Sequence, residues 1–396
     1  MTLPLLVWRS LRQHALTTIV TALSLSLACG LVMTVWVVKT ESERAFSSST
    51  SGFDAVLGAR GSKLQLVLSS LFYLEASPGN VSGEDYATIK ANPLVASAVP
   101  IAMGDNYQGW RIIGTTPERF TVENLEVAEG GRLFAEGALE AVVGSLVADR
   151  LGLKVGDTFH PSHGLSDSGE GHAHEEEYTI VGRLEVSNTP ADRVIWIPLE
   201  GLQTMGGHAA SAAEEVSAVL LKFRSPMAGF RLDSAINRRD TRMTLAYPVG
   251  AVVADLFTRF AWVSRVLEMV AYLVAVVAVG SVLAGIHASL ASRRRDIAIL
   301  RSLGARRRTV CGVIVAEAGA IGALGAVLGL VVYAGLAVGA AWVVRTQTGV
   351  VIDVTAWNPV LAVAPLGMVV LALLGGIVPA VSAYRTPVAD NLLPVS

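Results

Sequence analysis

Four stretches of this chain are too long and too apolar to be ordinary core helices: residues 15–38, 260–291, 310–344 and 359–383. At about 1.5 Å of rise per residue, ~20 residues cross the roughly 30 Å hydrocarbon core of a bilayer. Inside lipid every backbone N–H and C=O must find its partner within the segment, so each run is expected to be an α-helix. The fold class is therefore a membrane protein with four transmembrane α-helices. A large polar α+β domain, residues 39–259, lies between the first and second spans.

Charge sets the orientation. Residues 40–258 carry 17 Lys and Arg against 28 Asp and Glu, whereas the rest of the chain carries 14 against 5. Basic flanks of a span resist translocation and stay in the cytoplasm. The densest is Ser292–Arg308, SRRRDIAILRSLGARRR, with seven arginines against the single acid Asp296. It puts loop 292–309 inside, together with the N-terminal residues 1–14, which hold Arg9 and Arg12, and the tail 384–396. Residues 345–358 are then a short exterior loop, and 39–259 is extracytoplasmic. The triplet Leu27-Ala28-Cys29 resembles a lipoprotein cleavage site, but the apolar run continues past Cys29, so the segment reads as an anchor. Cys29 and Cys311 fall at different depths and are not expected to pair.

Within the exported domain, Ser82-Gly83-Glu84-Asp85 predicts a capped helix that ends by Asn92-Pro93. Strands are expected at Val95–Ala102, Trp110–Gly114, Tyr178–Leu184 and Arg193–Pro198. Between them, Val142–Asp157 reads as a short helix turning into a strand that ends near Phe159, and the domain is expected to be bipartite.

Three features are candidate sites. The first is the basic loop itself, where Ile297, Leu300 and Leu303 recur at helical spacing and Arg294 and Arg301 fall largely elsewhere, up to a closing Gly304. Such a helix can fill an apolar groove on a cytoplasmic partner; the plainer alternative is a topology signal alone. The second is HPSHGLSDSGEGHAHEEE, residues 160–177, a glycine- and serine-rich excursion between strands. His160, His163, His172 and His174 are ligand types suited to zinc or another transition metal, and a solvated polar loop is the alternative. The third is a pair of small-residue motifs in the third span, Gly325-x-x-x-Gly329 and Gly335-x-x-x-Gly339, which let helix backbones approach closely.

Several function classes are disfavoured. Gly58–Lys63 does not meet the phosphate-loop spacing, and neither G-x-S-x-G nor H-E-x-x-H occurs. The exported domain is acidic, which speaks against nucleic acid. Ionisable residues in the spans reduce to Glu268, His287 and Glu317, all near span ends, where an ion-driven carrier needs them at mid-depth. Arg265 and Glu268 are able to pair at three-residue spacing, and Glu317 needs a partner or a wet edge. No catalytic residues and no cofactor of this chain's own are expected.

The run Arg293–Arg307, with Glu317 and the Gly/Ala-rich span behind it, closely resembles the signature of the FtsX-like permeases. These are the membrane subunits of MacB, LolC/LolE and FtsX type ABC systems, the type VII or mechanotransmission family. Pro379-Ala380, Tyr384-Arg385 and Pro387-Val388 are similar to the family's closing motif, and Gly144–Asp157 to part of its exported domain. The resemblance implies a non-catalytic, dimeric permease subunit, homo- or heterodimeric, in the bacterial inner membrane. Its implied partners are a cytoplasmic ABC ATPase holding ATP and Mg²⁺, membrane lipids, and a periplasmic lipoprotein, adaptor or hydrolase. Arg294, Asp296, Ile297, Leu300, Arg301, Leu303 and Gly304 carry over as the ATPase-coupling helix. The implied work is export or release of a lipid, lipoprotein or amphiphilic substrate. The alternatives are activation of a periplasmic cell-wall hydrolase, as implied by FtsX itself, and a metal-linked system using the His-rich loop.

Overall fold

The structure, a computed structural model, describes residues 3–48, 52–164, 174–206, 214–239, 242–292 and 306–385. It divides into two units. One comprises residues up to Glu41, then Ala261–Trp342 and Asp353 onward; the other comprises Ser42–Phe260 with Val343–Ile352.

The membrane unit opens with α1, Leu3–Gln13, followed by the long helix α2, Ala15–Ser48. Among the described residues four helices are long and apolar enough to cross a membrane: Ala15–Phe46, Ala261–Ser289, Arg308–Thr348 and Val360–Val381. The last three lie in α10 (Ala261–Ser292), α11 (Arg307–Thr348) and α12 (Val360–Arg385). Amphipathic α1 is a helix of its own where the sequence shows only a basic flank. Its Val7 and Leu11 are buried among the span residues, and Ser10 donates a hydrogen bond to the Glu317 carboxylate, which meets the need of that buried acid.

Glycine decides how closely the spans meet. A Cβ at Gly325 would lie 2.5 Å from Leu25 Cβ, and one at Gly329 would lie 2.8 Å from Cys29 Cβ, so α2 and α11 touch backbone to backbone there. From the facing side, a Cβ at Gly30 would lie 2.6 Å from Val332. Gly335 and Gly339 differ: a Cβ at either meets nothing within 4 Å among the described residues, so this pair does not serve packing inside the unit. Glu268, which spacing would let pair with Arg265, is reached by Lys39 on α2 at 2.7 Å. Cys29 and Cys311 are both free thiols.

Among the described residues, the exported unit is built on one ten-stranded sheet. Its strands are β1 (Ala55–Ala59), β2 (Val95–Tyr107), β3 (Trp110–Thr115), β4 (Glu140–Val143), β5 (Thr158–Phe159), β6 (Ser162–His163), β7 (Tyr178–Arg183), β8 (Ile195–Pro198), β9 (Ala218–Phe223) and β10 (Met243–Ala246). The order is β10-β1-β9-β2-β3-β8-β4-β7-β5, with β6 added to β2. Strand period two sends neighbouring side chains to opposite faces. On β8, Trp196 enters one apolar cluster while Ile195 and Ile197 enter another; on β9, Leu220 and Leu221 divide likewise.

One face carries a single continuous cluster from Val56 to Trp196, covered by α3 (Lys63–Ser70) and α9 (Val249–Arg259). The other face has two separate clusters. One lies under α4 (Gly83–Lys90) and α8 (Pro226–Arg239), and one under α6 (Ser145–Leu151) and α7 (Leu199–Gln203). The thirteen-residue β2 runs beneath both of these clusters and joins their halves into one sheet. The expected α4 cap is present, with Ser82 Oγ accepting from the Asp85 N–H, and Gly152 ends α6 at φ +69°.

Residues 345–358 are not the plain exterior turn expected. α11 runs on to Thr348, and Val350 is buried in the exported unit's core beside Phe53 and Trp196. Gly349, at φ +75°, tucks against Arg193 and Pro190, and the Arg193 guanidinium donates to the Gln347 carbonyl.

Candidate metal-ligand cluster and family membership

The central residue of the candidate site is Asp105, which the sequence-based ligand set omitted. β2 shifts register against β3 between Met103 and Asp105, a bulge that re-aims the side chain. Asp105 becomes fully buried although it is acidic and sits in a strand. Its only local signal was an Asp-Asn pair at the end of an apolar strand, where both types are depleted.

The short β6 lies directly against this bulge, pairing His163 with Asp105 and Ser162 with Asn106. Asn106 holds β6 in place by donating its side-chain amide to the Ser162 and Gly164 carbonyls, and the Gly164 N–H bonds to the Gly104 carbonyl at 2.9 Å. His163 Nδ1 then lies 3.2 Å from Asp105 Oδ1. His174 comes from the far end of the His-rich segment. Its backbone N–H bonds to the Pro161 carbonyl at 2.8 Å, and its Nε2 also lies 3.2 Å from Asp105 Oδ1. Behind His174, Nδ1 is 2.7 Å from the Gly206 carbonyl, while the Gly206 N–H donates to Glu176 Oε1 at 2.8 Å. Gly206 thus clamps residues 174–176 from both sides.

Potential ligand atoms of Asp105, His163 and His174 all lie within 4.8 Å of one another. Burial first, then the Glu176 and Asp105 carboxylates, push the Tyr178 phenol above its usual range. Of the expected metal ligands, His163 and His174 are brought together, exposed His160 stays outside the cluster, and His172 lies outside the described residues. The coupling residues Arg294, Asp296, Ile297, Leu300, Arg301, Leu303 and Gly304 also lie outside the described residues; their flanks are the end of α10 at Ser292 and the start of α11 at Arg307.

Four spans and one large α+β unit make this a polytopic membrane protein. The chain matches the MacB-like periplasmic core domain over residues 15–238 and the FtsX-like permease C-terminal domain over residues 268–388. It belongs to the MacB/FtsX-like family of ABC transporter permeases. Among solved structures it is similar to the extracellular domain of the noncanonical ABC-type transporter YknZ from Gram-positive bacteria, at 17% identity and TM-score 0.32, covering 48% of this chain and 97% of that one. It is also similar to the periplasmic region of MacB from Actinobacillus actinomycetemcomitans, at 11% identity and TM-score 0.36, covering 52% and 94%. No curated protein matches the chain. Permeases of this family are generally non-catalytic membrane subunits that work with a cytoplasmic ABC ATPase.

Proposed function

We propose that this chain couples ATP hydrolysis on a separate cytoplasmic ATPase to movement of its exported unit, and so exports or releases a lipid, lipoprotein or amphiphilic substrate outside the inner membrane. ATP and Mg²⁺ belong to the ATPase, and the permease works as a dimer with both termini in the cytoplasm. The observation that carries this reading is the joint match to a MacB-like exported domain and an FtsX-like membrane domain, in that order, across four spans.

The shape of α11 supports it physically. At about 1.5 Å per residue its 42 residues reach roughly 63 Å, about twice a hydrocarbon core. The helix begins directly after the basic loop, and its last residues belong to the exported unit. Coupling needs a contiguous packed element, and an unbroken helix of this length is one. Work enters through Ile297, Leu300 and Leu303, the apolar face of the basic loop, with Arg294, Asp296, Arg301 and Gly304 around it.

Leu300→Asp tests this directly. A charge on the apolar face should abolish copurification with the partner ABC ATPase and remove ATPase stimulation, while leaving the permease in the membrane. Unchanged association and turnover would overturn the coupling role.

A further inference from the structure

We propose that Asp105, His163 and His174 form an exchangeable site for a divalent transition metal of the zinc type, in which Asp105 is the anchoring ligand. The first argument is the hydrogen-bond logic of His174. The Gly206 carbonyl can only accept, so Nδ1, 2.7 Å away, carries the ring proton. Neutral His174 then turns the bare lone pair of Nε2 toward Asp105 Oδ1, 3.2 Å away. Two lone pairs converging at this distance in a buried setting are the arrangement that a shared metal ion would bring together. A backbone carbonyl that fixes the tautomer and aims the other ring nitrogen is the usual outer support of a metal-bound histidine.

The second argument is distance. A tetrahedral zinc with bonds of about 2.0–2.1 Å separates its ligand atoms by ~3.3 Å. His163 Nδ1 and His174 Nε2 each lie 3.2 Å from Asp105 Oδ1, close to that tetrahedral edge. Two imidazoles and one carboxylate form a donor set suited to zinc and its transition-metal neighbours and poor for Ca²⁺ or Mg²⁺, which prefer all-oxygen shells.

The third argument concerns exchange. Three protein ligands leave one coordination position open, unlike a closed structural site. Asp105 is wholly buried and the His174 side chain 6% exposed, but the His163 side chain is 58% exposed, so one ligand lies on the path to solvent. Metal would join β2, β6 and the far end of the His-rich segment at one point.

The test is a zinc titration of the full-length permease in lipid nanodiscs, after removal of metal with a chelator, against a competing zinc indicator. Cobalt absorption reports the coordination number. The expected result is one tight equivalent per chain with a four- or five-coordinate cobalt spectrum, weakened at least tenfold in Asp105→Asn and in His163→Ala. His160→Ala should bind as the wild type does, and Ca²⁺ should not compete. His163 is largely exposed, so its variant tests the site even if Asp105→Asn misfolds. Absence of a stoichiometric equivalent in the wild type, or wild-type affinity in both variants, would overturn the site. The proposal is independent of the coupling role, since the titration involves no ATPase.

Discussion

The guanidinium of Arg119 lies 4.7 Å from the centroid of the Trp196 ring, inside the exported unit's continuous apolar cluster. It is 1% exposed and bonds to the Tyr73 hydroxyl and, at 2.9 Å, to the Glu123 carboxylate one helical turn away. Burial pushes the Glu123 carboxyl up, and Arg119 offsets part of that rise. A buried ion is tolerated when it is paired and hydrogen-bonded, and an aromatic face adds to the pairing.

Arg119→Met therefore strands a buried acid and should destabilise the exported unit by about 3–5 kcal/mol. Adding Glu123→Leu should recover much of the loss. Thermal unfolding followed by tryptophan fluorescence reads both, and equal stability of the single variant and the wild type would contradict the pairing.

The α2–α11 contact should respond to size at one glycine pair and not at the other. Gly325→Leu forces a side chain into a position 2.5 Å from Leu25 Cβ and should cost about 1–3 kcal/mol, with loss of the folded membrane unit in detergent. Gly335→Ala and Gly339→Ala should stay within about 0.5 kcal/mol of the wild type. The reverse order in a detergent melting series would show the packing face to be misassigned.

Ser10→Ala removes a donor from a buried carboxylate and should cost about 1–3 kcal/mol. Glu317→Gln keeps an acceptor for Ser10 and should be milder. Limited proteolysis at the N-terminus reports whether α1 has come away, and equal protection in Ser10→Ala and wild type would argue against the link.

Acid should weaken the Arg132–Glu140 link that closes the loop before β4. The Arg132 guanidinium, 2.7 Å from Glu140 Oε2, and then the Ala135 N–H lower this carboxyl from its ordinary 4.5 to about 2. A depressed folded value means that the contribution is present in full above pH ~4.5 and is lost as the pH falls toward 2. Arg132 is largely exposed, so solvent screening keeps the pair's contribution small at neutral pH. Glu140→Gln should be slightly less stable than the wild type at pH 7 and converge with it near pH 2. A constant gap across that range would rule out titration of Glu140 as the cause.

The four spans, the exported domain and the family were legible because lipid imposes a one-dimensional rule: enough consecutive apolar residues must become a helix, and charge then chooses the side. The strands near Val95, Trp110, Tyr178 and Ile195 were legible from local alternation, and α4 from its cap. What stayed hidden depends on contacts across long sequence distances. Nothing near Gly325 distinguishes it from Gly335 until Leu25 arrives beside one of them. Nor could spacing show that Lys39, 229 residues away, rather than Arg265, answers Glu268.

The ligand cluster shows the same division. The sequence by itself determined that residues 160–177 carry imidazoles, because composition is local. Only the tertiary structure selected His163 and His174 from among them and brought in Asp105, 69 residues before His174. The physical reason is the β2 bulge: it buries a carboxylate that no local pattern would bury, and a buried negative charge must gather cations or donors from wherever the fold can deliver them.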